Sequence, residues 1–189
     1  LLLEEKNELG GSTIFETNED NKINNKLTSE WLKREISELK NLKNLQIKTR
    51  TSVAAYHQYN YLLARENLTD HLEKKDKKNK IRQRLLKIRA KKVILATGAL
   101  ERPLIFNNND RPGIMLSSAI KKYSNYYGVA CGTKTIFFTN NDSSYESALS
   151  LHNKGIKVEA IIDIRENSNA KIIKKINDAG IKIYWSYTI

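Results

Sequence analysis

Cysteine is nearly absent: Cys131 is the only one in 189 residues, so neither an internal disulfide nor a paired-thiol redox motif is open to this chain. Histidine is almost as scarce. His57, His71 and His152 stand far apart without metal-ligand spacing, and no zinc site is expected. There are two prolines, no apolar run long enough to cross a bilayer and no signal-peptide pattern. The setting expected is soluble, reducing and cytoplasmic, with no metal and no membrane partner.

Positive charge is plentiful. A formal net charge of +12 invites a nucleic-acid partner, but the lysines are spread along the chain. The one dense run, Lys74-Lys75-Asp76-Lys77-Lys78-Asn79-Lys80, has no aromatic residue on which bases would stack. A solvated loop fits it better, and no nucleic-acid partner is expected.

The most informative stretch runs from Lys91 to Pro103. Val93, Ile94 and Leu95 form a short β-branched apolar run, the pattern of a strand buried on both faces. It ends on Ala96-Thr97-Gly98, where no bulky side chain shields the backbone. In an open α/β sheet, a flat cofactor lies against the chain at that end of a strand.

Leu1-Leu2-Leu3 also reads as a buried strand, ending in Glu4-Glu5, with Gly10-Gly11 following at a turn. In a dinucleotide fold an acidic residue at the end of the second strand accepts hydrogen bonds from the adenosine ribose. Glu4 or Glu5 takes that place. A glycine-rich pyrophosphate loop is expected before such a strand, so the chain reads as a fragment whose N-terminal element is missing.

Further along, Thr28 or Ser29 caps a helix with Trp31, Leu32, Ile36 and Leu39 on one face. From residue 45 to 90 the period drops to two, predicting a small antiparallel β-meander. Ser117 or Ser118 starts a helix that Gly128 ends. The last third alternates cleanly. Strands at 135–138, 158–164 and 181–185 enclose helices at 143–153 and 170–179, closed by Gly155 and Gly180. Short connections of this kind predict a parallel, doubly wound sheet.

The fold class expected is therefore α/β, with two Rossmann-like dinucleotide-binding domains of FAD/NAD(P)-binding type. Residues 1–131 would form a partial first domain carrying the meander at 45–90, and residues 132–189 the start of a second. In the second domain the loop Thr139-Asn140-Asn141-Asp142-Ser143-Ser144 lies where a dinucleotide fingerprint has glycines. Its side chains, and the charge of Asp142, predict that ordinary cofactor binding is lost there. The alternative is a changed ligand at the same crevice, with Asp163 at the end of the next strand. No nucleophile–base or acid–base pair stands out, so no catalytic residue is assigned.

Three longer motifs are more specific. Ala96-Thr97-Gly98-Ala99-Leu100-Glu101-Arg102-Pro103, Asn108-Asn109-Asp110-Arg111-Pro112-Gly113-Ile114-Met115-Leu116 and Phe138-Thr139-Asn140-Asn141-Asp142-Ser143-Ser144-Tyr145 resemble the alpha subunit of heterotetrameric sarcosine oxidase. Leu68-Thr69-Asp70-His71-Leu72 and Arg82-Gln83-Arg84-Leu85 are similar to it as well.

The resemblance implies a subunit of a complex that demethylates sarcosine oxidatively to glycine, hydrogen peroxide and, with tetrahydrofolate, methylene-tetrahydrofolate. It implies amine oxidation on FAD in a beta flavoprotein subunit and FMN at the alpha–beta interface. NAD would lie in the alpha subunit, with contacts at Glu4, Val53, Ala96, Thr97 and Gly98, and folate in a further C-terminal domain. A related FAD-dependent amino-acid or opine dehydrogenase subunit, or a non-catalytic scaffold subunit, is the alternative. A disulfide reductase of this plan would need a cysteine pair. The Asn140-Asn141-Asp142 loop favours the sarcosine oxidase group.

Overall fold

A computed structural model of the chain describes residues 1–16 and 22–189. They form two compact units, Leu1–Ile14 with Ile23–Gly98, and Phe15–Lys22 with Ala99–Ile189.

The first unit begins with strand β1 (Leu2–Leu3). Two short strands, β2 (Lys22–Ile23) and β3 (Lys26–Leu27), flank a turn at Asn24 and Asn25, whose φ angles are 50° and 61°. Asparagine tolerates that left-handed region better than most residues. Helix α1 (Thr28–Asn41) follows, with Trp31, Leu32, Ile36 and Leu39 half-buried on one face. Thr28 is its first residue rather than its cap, and Leu27 holds the capping position.

Strand β4 (Ile47–Lys48) then pairs in parallel with β1, Leu2 opposite Ile47 and Leu3 opposite Lys48. The meander proper is β5 (Thr51–His57), β6 (Tyr61–Asn67) and β7 (Gln83–Arg89), antiparallel in the order β5-β6-β7. It is therefore shorter than the expected 45–90. The segment around Ile47 belongs instead to the parallel pair with β1, because backbone bonds from Leu2 to Gln46 and from Glu4 to Lys48 claim it. Lys48 is tied to the meander by its side chain, Nζ donating to Glu66 Oε1 at 2.7 Å. The lysine-rich stretch makes one exposed turn of helix, α2 (Lys74–Lys77).

The expected buried strand at Val93–Leu95 does not form. Residues 92–105 have no regular structure, and Ile94 and Leu95 are 91% and 65% exposed. An apolar run becomes a buried strand only where neighbouring strands satisfy its backbone. Among the described residues none is paired with it.

The second unit holds helix α3 (Ser117–Tyr127), ended by Gly128 in the left-handed conformation at φ 67°. Then come β8 (Lys134–Thr139), α4 (Ser143–His152), β9 (Lys157–Asp163), α5 (Ile172–Asp178) and β10 (Lys182–Trp185). The three strands are parallel in the order β10-β9-β8, as the alternation predicts. Gly132, near the expected domain boundary, lies between α3 and β8. Tyr145, Leu151, Ile161 and Ile176 are fully buried in the core, and each such aliphatic side chain contributes about 1.5–3 kcal/mol. Ser144, Ser147 and Ser150 line α4 and are buried as well. Ser150 Oγ accepts from Asn125 Nδ2 of α3 at 3.1 Å.

Among the described residues no helix is long and apolar enough to cross a membrane. No group of three or more His, Cys, Asp or Glu among them could hold a metal ion.

Candidate functional site

The first candidate site grows from the carboxyl end of β1. Glu4 is locked there by its backbone, its N–H donating to Lys48 O and its carbonyl accepting from Thr51 N, both at 2.9 Å. Its carboxylate Oε1 accepts the Lys6 N–H at 2.7 Å. Oε2 has no partner among the described residues. A carboxylate oxygen left open at a parallel strand's carboxyl end is suited to receive a ribose hydroxyl. Glu5 is exposed beside it.

Gly10 and Gly11 close the following turn with φ angles of 126° and 55°. At Gly10 the chain passes close to α1. A Cβ there would stand 2.8 Å from Leu32 Cδ2 and 2.9 Å from Ile14 Cγ1. Thr13 Oγ1 donates to the Gly10 carbonyl. Gly10 thus serves packing as well as the turn, whereas Gly11 is exposed with open space around it.

Val53 lies on β5, two residues beyond the Thr51 that binds Glu4, beside the register shift between Val53 and Ala55. It is 45% exposed. The geometry therefore brings Glu4, Glu5 and the start of β5 together at one end of the β1–β4 pair. Ala96, Thr97 and Gly98 lie in the exposed irregular segment, Gly98 at φ 71°. Asn60 Nδ2 anchors the start of that segment by donating to Lys91 O at 3.1 Å. They are exposed, but the strand expected to end at them is absent and no sheet among the described residues holds them.

Two side-chain constellations in the second unit escaped sequence reasoning. Glu101 caps α3: Oε1 accepts from Ser117 N and Ser117 Oγ at 2.9 and 2.8 Å, and Oε2 accepts from Ser118 N at 2.7 Å. A carboxylate is stabilised at a helix N-terminus by the open N–H groups and the dipole. Burial pushes this carboxyl up, but the hydrogen bonds from Ser118 and Ser117 together outweigh it, and the group titrates below its ordinary value. The only sequence signal was the Ser117-Ser118 pair opening a helix. Nothing in the spacing pointed sixteen residues back.

The other constellation is at the carboxyl ends of β8 and β9. Asp163 is fully buried. Arg165 forks it, with Nε 3.0 Å from Oδ1 and Nη2 2.7 Å from Oδ2, while Tyr145 Oη donates to Oδ2 at 2.8 Å. Burial pushes the Asp163 carboxyl up, yet the bonds from Arg165 and Tyr145 prevail and hold it low. Burial and the adjacent carboxylate raise the Tyr145 phenol well above its usual range. Arg165 Nη2 also reaches Asp142 Oδ1 at 2.7 Å, and Ser168 Oγ donates to the same oxygen at 2.9 Å. Asp142 and Asp163 are legible as acidic groups at strand ends. Arg165 and Ser168, which unite them, belong to no motif.

The fold has a counterpart among solved dehydrogenases. L-proline dehydrogenase from P. horikoshii superposes with a TM-score of 0.65 over 89% of this chain and 31% of that one, at 26% identity. The sequence narrows the class. Sarcosine oxidase subunit alpha of Corynebacterium sp. (strain P-1) is 37% identical over 183 residues, 97% of this chain, and that of strain U-96 is 38% identical over 178 residues, 94% of it. Over that length the chain is similar to sarcosine oxidase alpha subunits, and the resemblance read from its motifs holds. It spans 18% of the length of either relative. No family model matches it.

Proposed function

We propose that this chain is a dinucleotide-binding part of the alpha subunit of a sarcosine oxidase-type oxidoreductase. The observation that carries this reading is the match to sarcosine oxidase alpha subunits over nearly the whole chain. Residues 1–131 belong to a Rossmann-like domain that takes NAD, and residues 132–189 begin a second. Glu4, with Glu5 beside it, receives the adenosine ribose hydroxyls. Gly10 and Gly11 turn the chain away from the nucleotide. Val53 and the open backbone of Ala96, Thr97 and Gly98 lie against it.

The residues fit such a group in two respects. The Glu4 carboxylate has an open oxygen at a strand's carboxyl end, and the 96–98 backbone is unshielded. NAD when bound would supply a hydride-carrying nicotinamide. This chain's own residues bind and orient it, and none is given a catalytic role.

The complex as a whole oxidatively demethylates sarcosine to glycine with hydrogen peroxide, passing the methyl carbon to tetrahydrofolate in a further domain. Amine oxidation takes place on FAD in a beta flavoprotein partner, with FMN at the subunit interface, in the cytoplasm. The absence of any acid–base or nucleophile pair in the sequence motifs supports a binding rather than a reacting role for this part.

A second reading is favoured by the structural counterpart, which is named an L-proline dehydrogenase: an FAD-dependent amino-acid dehydrogenase subunit. Purification of the full-length protein with its co-expressed partners separates the two. Peroxide formed from sarcosine supports the oxidase. Dye reduction without peroxide, driven by another amino acid, supports the dehydrogenase.

A further inference from the structure

The second unit raises its own question. Its β8-α4-β9-α5-β10 order is that of one half of a dinucleotide-binding sheet. In such a half the phosphates lie at the loop after the first strand, and the ribose at the end of the second. Here both places are taken.

Three backbone donors of the loop after β8 are satisfied from within it. The Asn141 N–H donates to Thr139 Oγ1 at 3.2 Å, and Asn141 Oδ1 accepts both the N–H and the hydroxyl of Ser143, at 3.1 and 2.6 Å. The Tyr145 N–H donates to Asp142 O at 3.1 Å. These are among the backbone groups that would otherwise cradle a phosphate. No glycine lets a pyrophosphate come closer, since residues 139–144 all carry side chains.

Across the crevice, Arg165 reaches from the end of β9 to Asp142 at the start of α4. An arginine at this position can receive a 2′-phosphate in NADP-binding folds. This one is already committed. It cannot swing toward a ligand without leaving the Asp163 carboxylate, buried and fully desolvated, short of its counter-charge. The Asp142 carboxylate accepts from Arg165 and Ser168 much as a phosphate oxygen would, and its charge repels any phosphate brought beside it.

We propose that the crevice at the carboxyl ends of β8 and β9 is closed to nucleotides by its own side chains, with Asp142 occupying, against Arg165 and Ser168, the place of a nucleotide phosphate. The inference rests on reading the second unit as a dinucleotide-type βαβ unit. It goes beyond the site proposed in the first unit. Asp163 serves to fix Arg165 and Tyr145 and does not bind a ribose.

Hydrogen–deuterium exchange on the full-length protein, read by mass spectrometry with and without millimolar NADPH, tests it. The segments 139–146 and 163–169 are expected to exchange at the same rate in both. Slowing of either segment by NADPH in the unaltered protein overturns the closure.

In Asp142→Ala, Arg165 stays on Asp163 while one of its Nη2 N–H groups and the Ser168 hydroxyl lose their acceptor, and NADPH is expected to slow both segments. No slowing there overturns the place given to Asp142. Asp142→Asn, which keeps an acceptor against Arg165 and Ser168 and removes only the charge, is the control for a loosened loop and is expected to show less slowing than the alanine variant. The segments 4–11 and 95–98 report the first site in the same experiment, so failure of either assignment is seen separately.

Discussion

Arg165 Nη2 and Asp142 Oδ1 meet at 2.7 Å, an ion pair that joins the end of one parallel strand to the start of the helix after its neighbour. The same guanidinium nitrogen binds Asp163 at 2.7 Å, so one side chain serves a half-exposed and a fully buried carboxylate. The two bonds differ in worth. Exposed pairs contribute about 0–1 kcal/mol, whereas stranding one member of a buried pair costs about 3–5 kcal/mol.

Arg165→Ala is therefore expected to destabilise the protein by roughly 3 kcal/mol through the orphaned Asp163. Asp142→Asn should cost under about 1 kcal/mol. Denaturant titration followed by tryptophan fluorescence checks both, because Trp185 stacks near Tyr145 at 6.2 Å. Equal losses from the two substitutions would contradict this division.

Acid should act on the same cluster. Asp163, Asp142 and Glu101 all titrate below their ordinary values in the folded protein. A carboxyl depressed by folding adds stability that is fully present above its unfolded pKa, near 4, and is lost as pH falls through the lower folded value. Stability should be flat with respect to these groups above about pH 5 and fall below about pH 4. Asp163→Asn should flatten the acid limb when denaturation midpoints are measured across that range. An unchanged limb would show that Asp163 does not contribute to it.

The cap on α3 predicts a local effect. Glu101→Gln keeps the shape but loses the charge that answers the helix N-terminus, at a cost of about 1 kcal/mol. Hydrogen exchange at the Ser117 and Ser118 amides should quicken while the core of β9 keeps its protection.

The two adjacent glycines should respond differently. Gly10→Ala would place a methyl group 2.8 Å from Leu32 Cδ2 in a backbone region that L residues rarely adopt. It should cost more than about 2 kcal/mol through strain and displaced packing. Gly11→Ala meets nothing within 4 Å and should cost about 1 kcal/mol for its left-handed backbone alone. Thermal denaturation of the two variants gives the comparison.

The last third of the chain was legible because its signals are local. Apolar runs of strand length alternate with helical stretches, and Gly155 and Gly180, at φ 81° and 71°, stop the helices where the pattern predicts. The family was legible from long motifs such as 96–103 and 108–116.

What failed were judgements that depend on neighbours. Val93–Leu95 has the composition of a buried strand, yet composition cannot say whether another strand lies alongside. Ile47 and Lys48 alternate like a meander strand, but β1 claims them. Arg165 was missed because its role depends on two carboxylates, one of them 23 residues away, which only folding brings together.

The reading of the first unit is tested most directly by exchange measurements on the full-length protein purified with its own nucleotide, before and after that nucleotide is removed. Mass analysis of what is released should identify NAD. Exchange should quicken on removal at residues 4–11, around Val53 and at 95–98, and not at 139–146. Release of no dinucleotide, or quickening confined to segments outside the first unit, would contradict the assignment.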